Sequence, residues 1–167
     1  NGLLTPLRSS ILANTLGVAV IVVNPNTKEV LIPIRGNEQA IMDNGMGKFH
    51  CSASGVFAWN ESDDIKSIQS FDFFSKGMEK ELESEIGLKP EQYDLIPLAF
   101  TRELVRGGKP QLFFIAETTL DIGTIQSEMK MAEESWEFIN IEDVNENNPM
   151  YEYITSPLNA PQEMFTY

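Results

Sequence analysis

Two glutamates one helical turn apart, Glu81 and Glu85, are the residues of this chain best suited to chemistry. They lie in Asp72 to Leu88, DFFSKGMEKELESEIGL, where Phe74, Met78, Leu82 and Ile86 recur at steps of four and Gly87 stands where helices commonly stop. The stretch reads as one amphipathic helix. At about 100° per residue, Glu81 and Glu85 fall at the edge of the apolar face beside Gly77 and Ser84, while Glu79 and Glu83 point roughly the other way, partly offset by Lys76 and Lys80. Like charges at this spacing repel, and more so at the margin of a core. A divalent cation reverses that cost, since magnesium takes oxygen ligands and is commonly held by one or two carboxylates plus a substrate's phosphates. The other reading is a plain acidic helix, because glutamate is a good helix former.

Lys80-Glu81-Leu82-Glu83-Ser84-Glu85-Ile86-Gly87-Leu88 resembles the helical half of the Nudix box, Arg-Glu-aliphatic-any-Glu-Glu-any-Gly-aliphatic, and Ser52-Ala53-Ser54-Gly55 resembles the glycine-bearing loop that opens it. The chain departs from the family pattern in three ways. Gly55 and Glu61 keep the first spacing of the box but Lys80 then comes about eleven residues late, or else Asp72 stands for the first glutamate; either way the loop is lengthened. Lysine replaces the arginine at Lys80 and cannot offer its bidentate fork. Ser84 replaces the first glutamate of the adjacent pair, a usual metal ligand in the family. The resemblance implies a site for Mg2+ or Mn2+ on Glu81 and Glu85, completed by a backbone carbonyl near Gly55, a distal acid and the substrate's own oxygens.

The elements around this helix are legible in outline. Thr15 to Val23 is a β-branched apolar run, suited to a central strand covered on both sides; Asn24-Pro25-Asn26-Thr27 is a turn, and Glu29 to Ile34 a second strand closed by Arg35 and Gly36. Asn37 to Gly47 reads as loop, and Lys48 to Ala53 as a short strand leading to Gly55. Ala58 to Ser70 is polar and acidic, a helix cap or a loop over the site. Beyond the helix, Tyr93 to Leu104 and Gln111 to Glu117 are strands joined by the turn Arg106-Gly107-Gly108-Lys109-Pro110. Asp121 to Met131 is a helix and Trp136 to Ile141 a strand. The proline-bearing tail is irregular or carries a short helix near Asn159 to Phe165.

The expected architecture is therefore α+β, a mixed β-sheet flanked by helices, which in the resemblance becomes the α/β/α sandwich of the Nudix fold. A single domain over 1–167, with its core at roughly 15–145, suits the length. A formal net charge of −13 argues against nucleic acid or an anionic membrane as partner through a basic surface. One cysteine, Cys51, rules out an intrachain disulfide framework and fits a reducing, cytoplasmic compartment. His50 and Cys51 are adjacent, the wrong arrangement for zinc, and His50 reads as structural or a pocket wall. No apolar run is long enough for a membrane helix and no signal peptide is visible; the chain starts at Asn1 without methionine, so a longer polypeptide is an open expectation.

The function implied is metal-dependent hydrolysis of a diphosphate linkage in a nucleoside-diphosphate-linked or related small molecule. Glu81, Glu85 and a distal glutamate, Glu133 or Glu134, would be the catalytic acids, and spacing does not choose between the last two. Arg35 and Arg102 would contact phosphates, the alternative for each being an ordinary surface charge. The family also allows a homodimer, although no interface signature is visible. The alternative function is a Nudix-like domain that has lost catalysis, as Ser84 and Lys80 favour, and binds a nucleotide-like ligand or a protein.

Overall fold

The computed structural model describes residues 4–10, 15–35, 49–57, 72–104, 106–135 and 138–144. Its centre is β1, Leu16–Asn24, whose alternate side chains Val18, Val20 and Val22 are almost wholly buried. On one side β1 runs parallel to β5, Lys109–Thr118, with Val18, Val20 and Val22 opposite Leu112, Phe114 and Ala116. Its other side is divided. The first half pairs with β3, Ala53–Phe57, from Leu16 opposite Phe57 to Val20 opposite Ala53, and the second half pairs with β2, Glu29–Arg35. Outer strands β4, Tyr93–Glu103, and β6, Phe138–Val144, flank β5 and β2 to give the order β4-β5-β1-β2-β6 with β3 beside β1. The mixed sheet expected from the sequence is present.

Where β2 and β3 part, Ser52 joins them. Its buried hydroxyl donates to Leu31 O at 2.6 Å and accepts from Val22 N–H at 2.7 Å, so a side chain takes a place in the ladder between β1 and β2. Its own N–H donates to Val20 O, and His50 N–H to Pro33 O. At the far end of β1, the Asn24 side-chain oxygen Oδ1 accepts from Asn26 and Thr27 N–H to shape the turn into β2.

Helix α1, Asp72–Glu81, continues as a π-helical turn, Leu82–Ile86, instead of the single regular helix that the spacing suggests. Each apolar step of four overshoots an α-helical turn by about 40°, and the wider π turn offsets part of that drift between Leu82 and Ile86. Met78, Leu82 and Ile86 are fully buried against Val18, Val20, Leu112 and Phe114, each such side chain stabilising by about 1.5–3 kcal/mol. Gly87 ends the helix at φ +81°, the left-handed conformation in which glycine is preferred, and Leu88 N–H reaches back to Leu82 O.

The α1 start is seated on β3 by aromatic contact. Phe57 meets Phe73 edge to face at 4.9 Å, and its ring lies so close to Gly77 that no side chain fits there. Helix α2, Ile122–Met129, begins at Asp121, whose carboxylate accepts from Thr124 O–H and N–H; those bonds hold its pKa below the ordinary value. It buries Ile122, Ile125 and Met129 in the same core. On the opposite sheet face, Val30 and Ile32 pack with Ile21, Val23 and Phe49. The sequence placed a loop at Ser52 to Gly55 and ended a strand at Ala53, whereas β3 begins at Ala53 and includes Gly55. Among the described residues no helix is long and apolar enough to cross a membrane. The polar stretch Ala58 to Ser70, the loop Asn37 to Gly47 and the tail helix lie outside the described residues.

Candidate active site

Three carboxylates converge between β3, the π turn and the segment after α2. One oxygen each of Glu81, Glu85 and Glu134 lies within 4.8 Å of the others. Glu81 is the last residue of α1 and Glu85 belongs to the π turn, so the helix presents both toward β3. Glu85 is 1% exposed, and the Ser54 N–H points at its two oxygens at 3.2 and 3.4 Å. A buried carboxylate costs stability unless something compensates its charge, and a main-chain donor is one such group.

Gly55 is the floor of the site. Its partner on β1 is Val18, whose side chain faces the helices, so a Cβ at Gly55 would point the same way and run into the Glu81 carboxyl group. Glycine at this position leaves room for that close approach of a carboxylate to the main chain, which a side chain here would displace.

Glu134 arrives from the other side of the helix end. Its N–H donates to Ser84 O at 2.8 Å and its carboxylate accepts from the Ser84 hydroxyl at 3.3 Å, a hydroxyl also 3.5 Å from Glu81 O. The position at which the family pattern carries a glutamate here holds a serine that binds a glutamate from elsewhere in the chain. Of the two distal acids left open by spacing, Glu134 is half-buried in the cluster and Glu133 is exposed. The Ser54 N–H and the Ser84 tether were not read from the sequence: neither backbone donors nor a contact fifty residues away leaves a local signal.

Other expected residues lie elsewhere. Arg102 sits on β4, where Nε donates to Gly108 O at 2.8 Å and Nη1 to Thr5 O at 2.6 Å, joining the β4–β5 turn to the N-terminal segment. Arg35 ends β2 opposite Phe138. Lys80 is exposed. His50 is buried with Nδ1 3.2 Å from the Cys51 carbonyl oxygen, in the crossing that leads into β3. Across the helix from the carboxylate cluster, burial first and then Glu79, Glu83 and Glu91 push the Tyr93 phenol pKa up, so that this hydroxyl stays protonated.

No family model matches the chain, and no curated protein matches it in sequence. Solved structures do match in shape. The crystal structure of DR0079 from Deinococcus radiodurans aligns with TM-score 0.53 at 11% identity, covering 84% of this chain and 74% of that one. That of NrtR from Shewanella oneidensis aligns with TM-score 0.51 at 13% identity over 90% of this chain and 60% of that one. The NUDIX domain of the same NrtR, cocrystallised with ADP ribose, gives TM-score 0.45 at 15% identity over 70% of this chain and 68% of that one, too low to carry an argument alone. The fold is Nudix-like. The sheet and helices match the α/β/α sandwich inferred from the box-like segment. At these identities a Nudix-like fold establishes shape and not activity.

Proposed function

We propose that this chain hydrolyses a diphosphate linkage in a nucleoside-diphosphate-linked or related small molecule, using a divalent cation, in a reducing, cytoplasmic compartment. The observation that carries the reading is the convergence of Glu81, Glu85 and Glu134 over a glycine floor. An all-oxygen donor set suits Mg2+ or Mn2+ over softer metals. Such a cation supplies Lewis acidity toward a phosphoryl oxygen and toward water.

The residues divide the remaining work. Glu81 and Glu85 would hold the cation, with the Gly55 carbonyl as a further oxygen. Ser54 N–H fixes the Glu85 carboxylate, which spares the reaction that reorganisation. Glu134, tethered through both its N–H and its carboxylate to Ser84, accepts the proton from the attacking water. Arg35 and Arg102 contact phosphate oxygens, and Arg102 does so by exchanging its bond to Thr5 O.

A second reading, a binding domain without catalysis, is favoured by one specific observation: the helix offers Ser84 where a carboxylate would complete a ligand set of its own. The test is product release from a panel of nucleoside diphosphate compounds that includes ADP ribose, with magnesium, manganese or chelator, comparing the native chain with Glu85→Gln. Metal-dependent turnover that the variant loses supports the hydrolase. No turnover and no calorimetric metal binding overturns it. Ser84→Glu separates the two readings by metal affinity, which an enzyme gains from a fourth carboxylate and a binding domain need not; because the variant also removes the hydroxyl that holds Glu134, rate is not the readout.

A further inference from the structure

The groove between β3 and α1 changes character along its length. At one end the Glu81 carboxyl group lies over Gly55; one helical turn earlier, the Phe57 ring lies against Gly77, so each element offers a glycine to a large side chain of the other. Gly55 and Phe57 stand opposite Val18 and Leu16, two residues apart on β3, and therefore project to the same sheet face about 7 Å from each other. Gly77 and Glu81 are separated by about 6 Å along α1. Both elements thus lead from carboxylate to aromatic ring over the same short distance.

The Phe57 ring is braced on one side and open on another. Phe73 meets it edge to face, with centroids 4.9 Å apart and planes at 62°, and Phe74 lies 6.0 Å away at 50°. Those two rings also meet each other at 5.5 Å and 83°. A Cβ at Gly77 would touch Phe57 at Cδ2 first, with Cε2 and Cγ farther off at 3.1 and 3.5 Å. That order describes the edge of the ring, since over a face the two neighbours would be nearly as close as Cδ2. Phe73 is 6% exposed, whereas Phe57 is only half-buried. Of the described elements that bound the carboxylate cluster, β3 alone brings an aromatic ring; Leu82–Ile86 and residues 132–135 carry none.

We propose that Phe57 is a specificity-determining residue, the stacking platform for an aromatic ring carried by the substrate. The assignment rests on the hydrolase reading above and gives that site its substrate class: a nucleoside diphosphate compound in preference to a diphosphate whose organic part is saturated. A diphosphate bound at Glu81 and Glu85 leaves a nucleobase one ribose away, on the scale that separates Gly55 from Phe57 along β3. Every base has a π-face, so a phenyl ring selects for a base without selecting which base. A ring already braced by Phe73 and Phe74 also loses little side-chain freedom when a ligand packs on it.

Calorimetry in excess magnesium or manganese tests this with two ligands that resist hydrolysis, α,β-methylene ADP and its base-free counterpart, ribose 5-α,β-methylenediphosphate. The native chain is expected to bind the nucleotide about tenfold or more tighter than the base-free ligand. Phe57→Leu keeps an apolar side chain under the helix; it should lose about tenfold for the nucleotide and stay within about twofold for the base-free ligand, while Phe57→Tyr keeps both affinities. Circular dichroism and unfolding midpoints verify that the variants are folded. Equal binding of the two ligands by the native chain overturns the proposal and leaves the hydrolase reading intact. A Phe57→Leu chain that weakens both ligands alike, or neither, overturns it too, since the ring then does no more than seat the helix. If the native chain binds neither ligand with metal present, the hydrolase reading fails and this assignment with it.

Discussion

At the tip of the β4–β5 hairpin Arg102 serves two carbonyl oxygens and Arg106 lies 3.8 Å from Glu103, whereas at the helix end three groups of one sign, Glu81, Glu85 and Glu134, are drawn to within 4.8 Å. Hairpin charges are arranged for the chain's own benefit. Lys109, beside them, has its pKa lowered first by burial and then by Arg106, while Glu103 works against both. The carboxylate triad is the reverse: like charges held close cost folding free energy, and the proposed cation would recover it. One region uses charge to hold the fold together, and the other uses the fold to hold charge together.

That contrast can be broken most decisively at the metal. Glu81→Gln is expected to lower magnesium or manganese affinity about 100-fold in calorimetry while Arg102→Ala leaves it within about twofold; equal losses would erase the distinction. Next in size is stabilisation by the ion. At a concentration about 100 times its dissociation constant the cation should raise the unfolding free energy by about 2.7 kcal/mol in the native chain and have far less effect on Glu81→Gln, as read from urea midpoints with metal and with chelator.

Two glycines meet side-chain ends, one in each region. A Cβ at Gly55 meets the Glu81 carboxylate, and one at Gly17 meets the side chains of Gln111 and Lys109 near the hairpin. Both substitutions by alanine should cost about 1 kcal/mol in urea unfolding, since in each case the far end of a flexible side chain can shift, but only Gly55→Ala, which displaces the Glu81 carboxyl group, should also weaken metal binding, by about tenfold. The smallest effect is expected from Arg102→Ala, about 1 kcal/mol of stability from its two bonds to carbonyl oxygens. A rise in KM with kcat unchanged in that variant would give Arg102 the phosphate contact as well.

The sequence conveyed the strands well because their residue types carry the signal: β1 is β-branched and apolar, and β4 and β5 flank a turn in which Gly107 and Gly108 both adopt positive φ. It conveyed the helix less well. Phe74, Met78, Leu82 and Ile86 marked the buried side, yet Phe73 is more buried than Phe74, and a step of four alone does not say where an α turn widens. The Glu81 and Glu85 pair was legible because a helix turns sequence distance into space. Glu134 was only half legible, since its place depends on a tether to Ser84 that no local pattern encodes. Strand β3 was misplaced because Gly55 stays bare beneath the Glu81 carboxyl group, and the run Ala53, Ser54 and Gly55 lacks the alternation by which strands are recognised.

The hydroxyl of Ser52 has a use beyond holding two strands. Since the Val22 amide donates to it and not to a main-chain carbonyl, the deuterium exchange of that single amide reports whether the segment from Ser52 into β3 is docked, even while the neighbouring β1–β5 amides stay protected. The floor of the carboxylate site thus carries its own reporter. Slower exchange at Val22 on adding magnesium would register closure of the site with no substrate in hand.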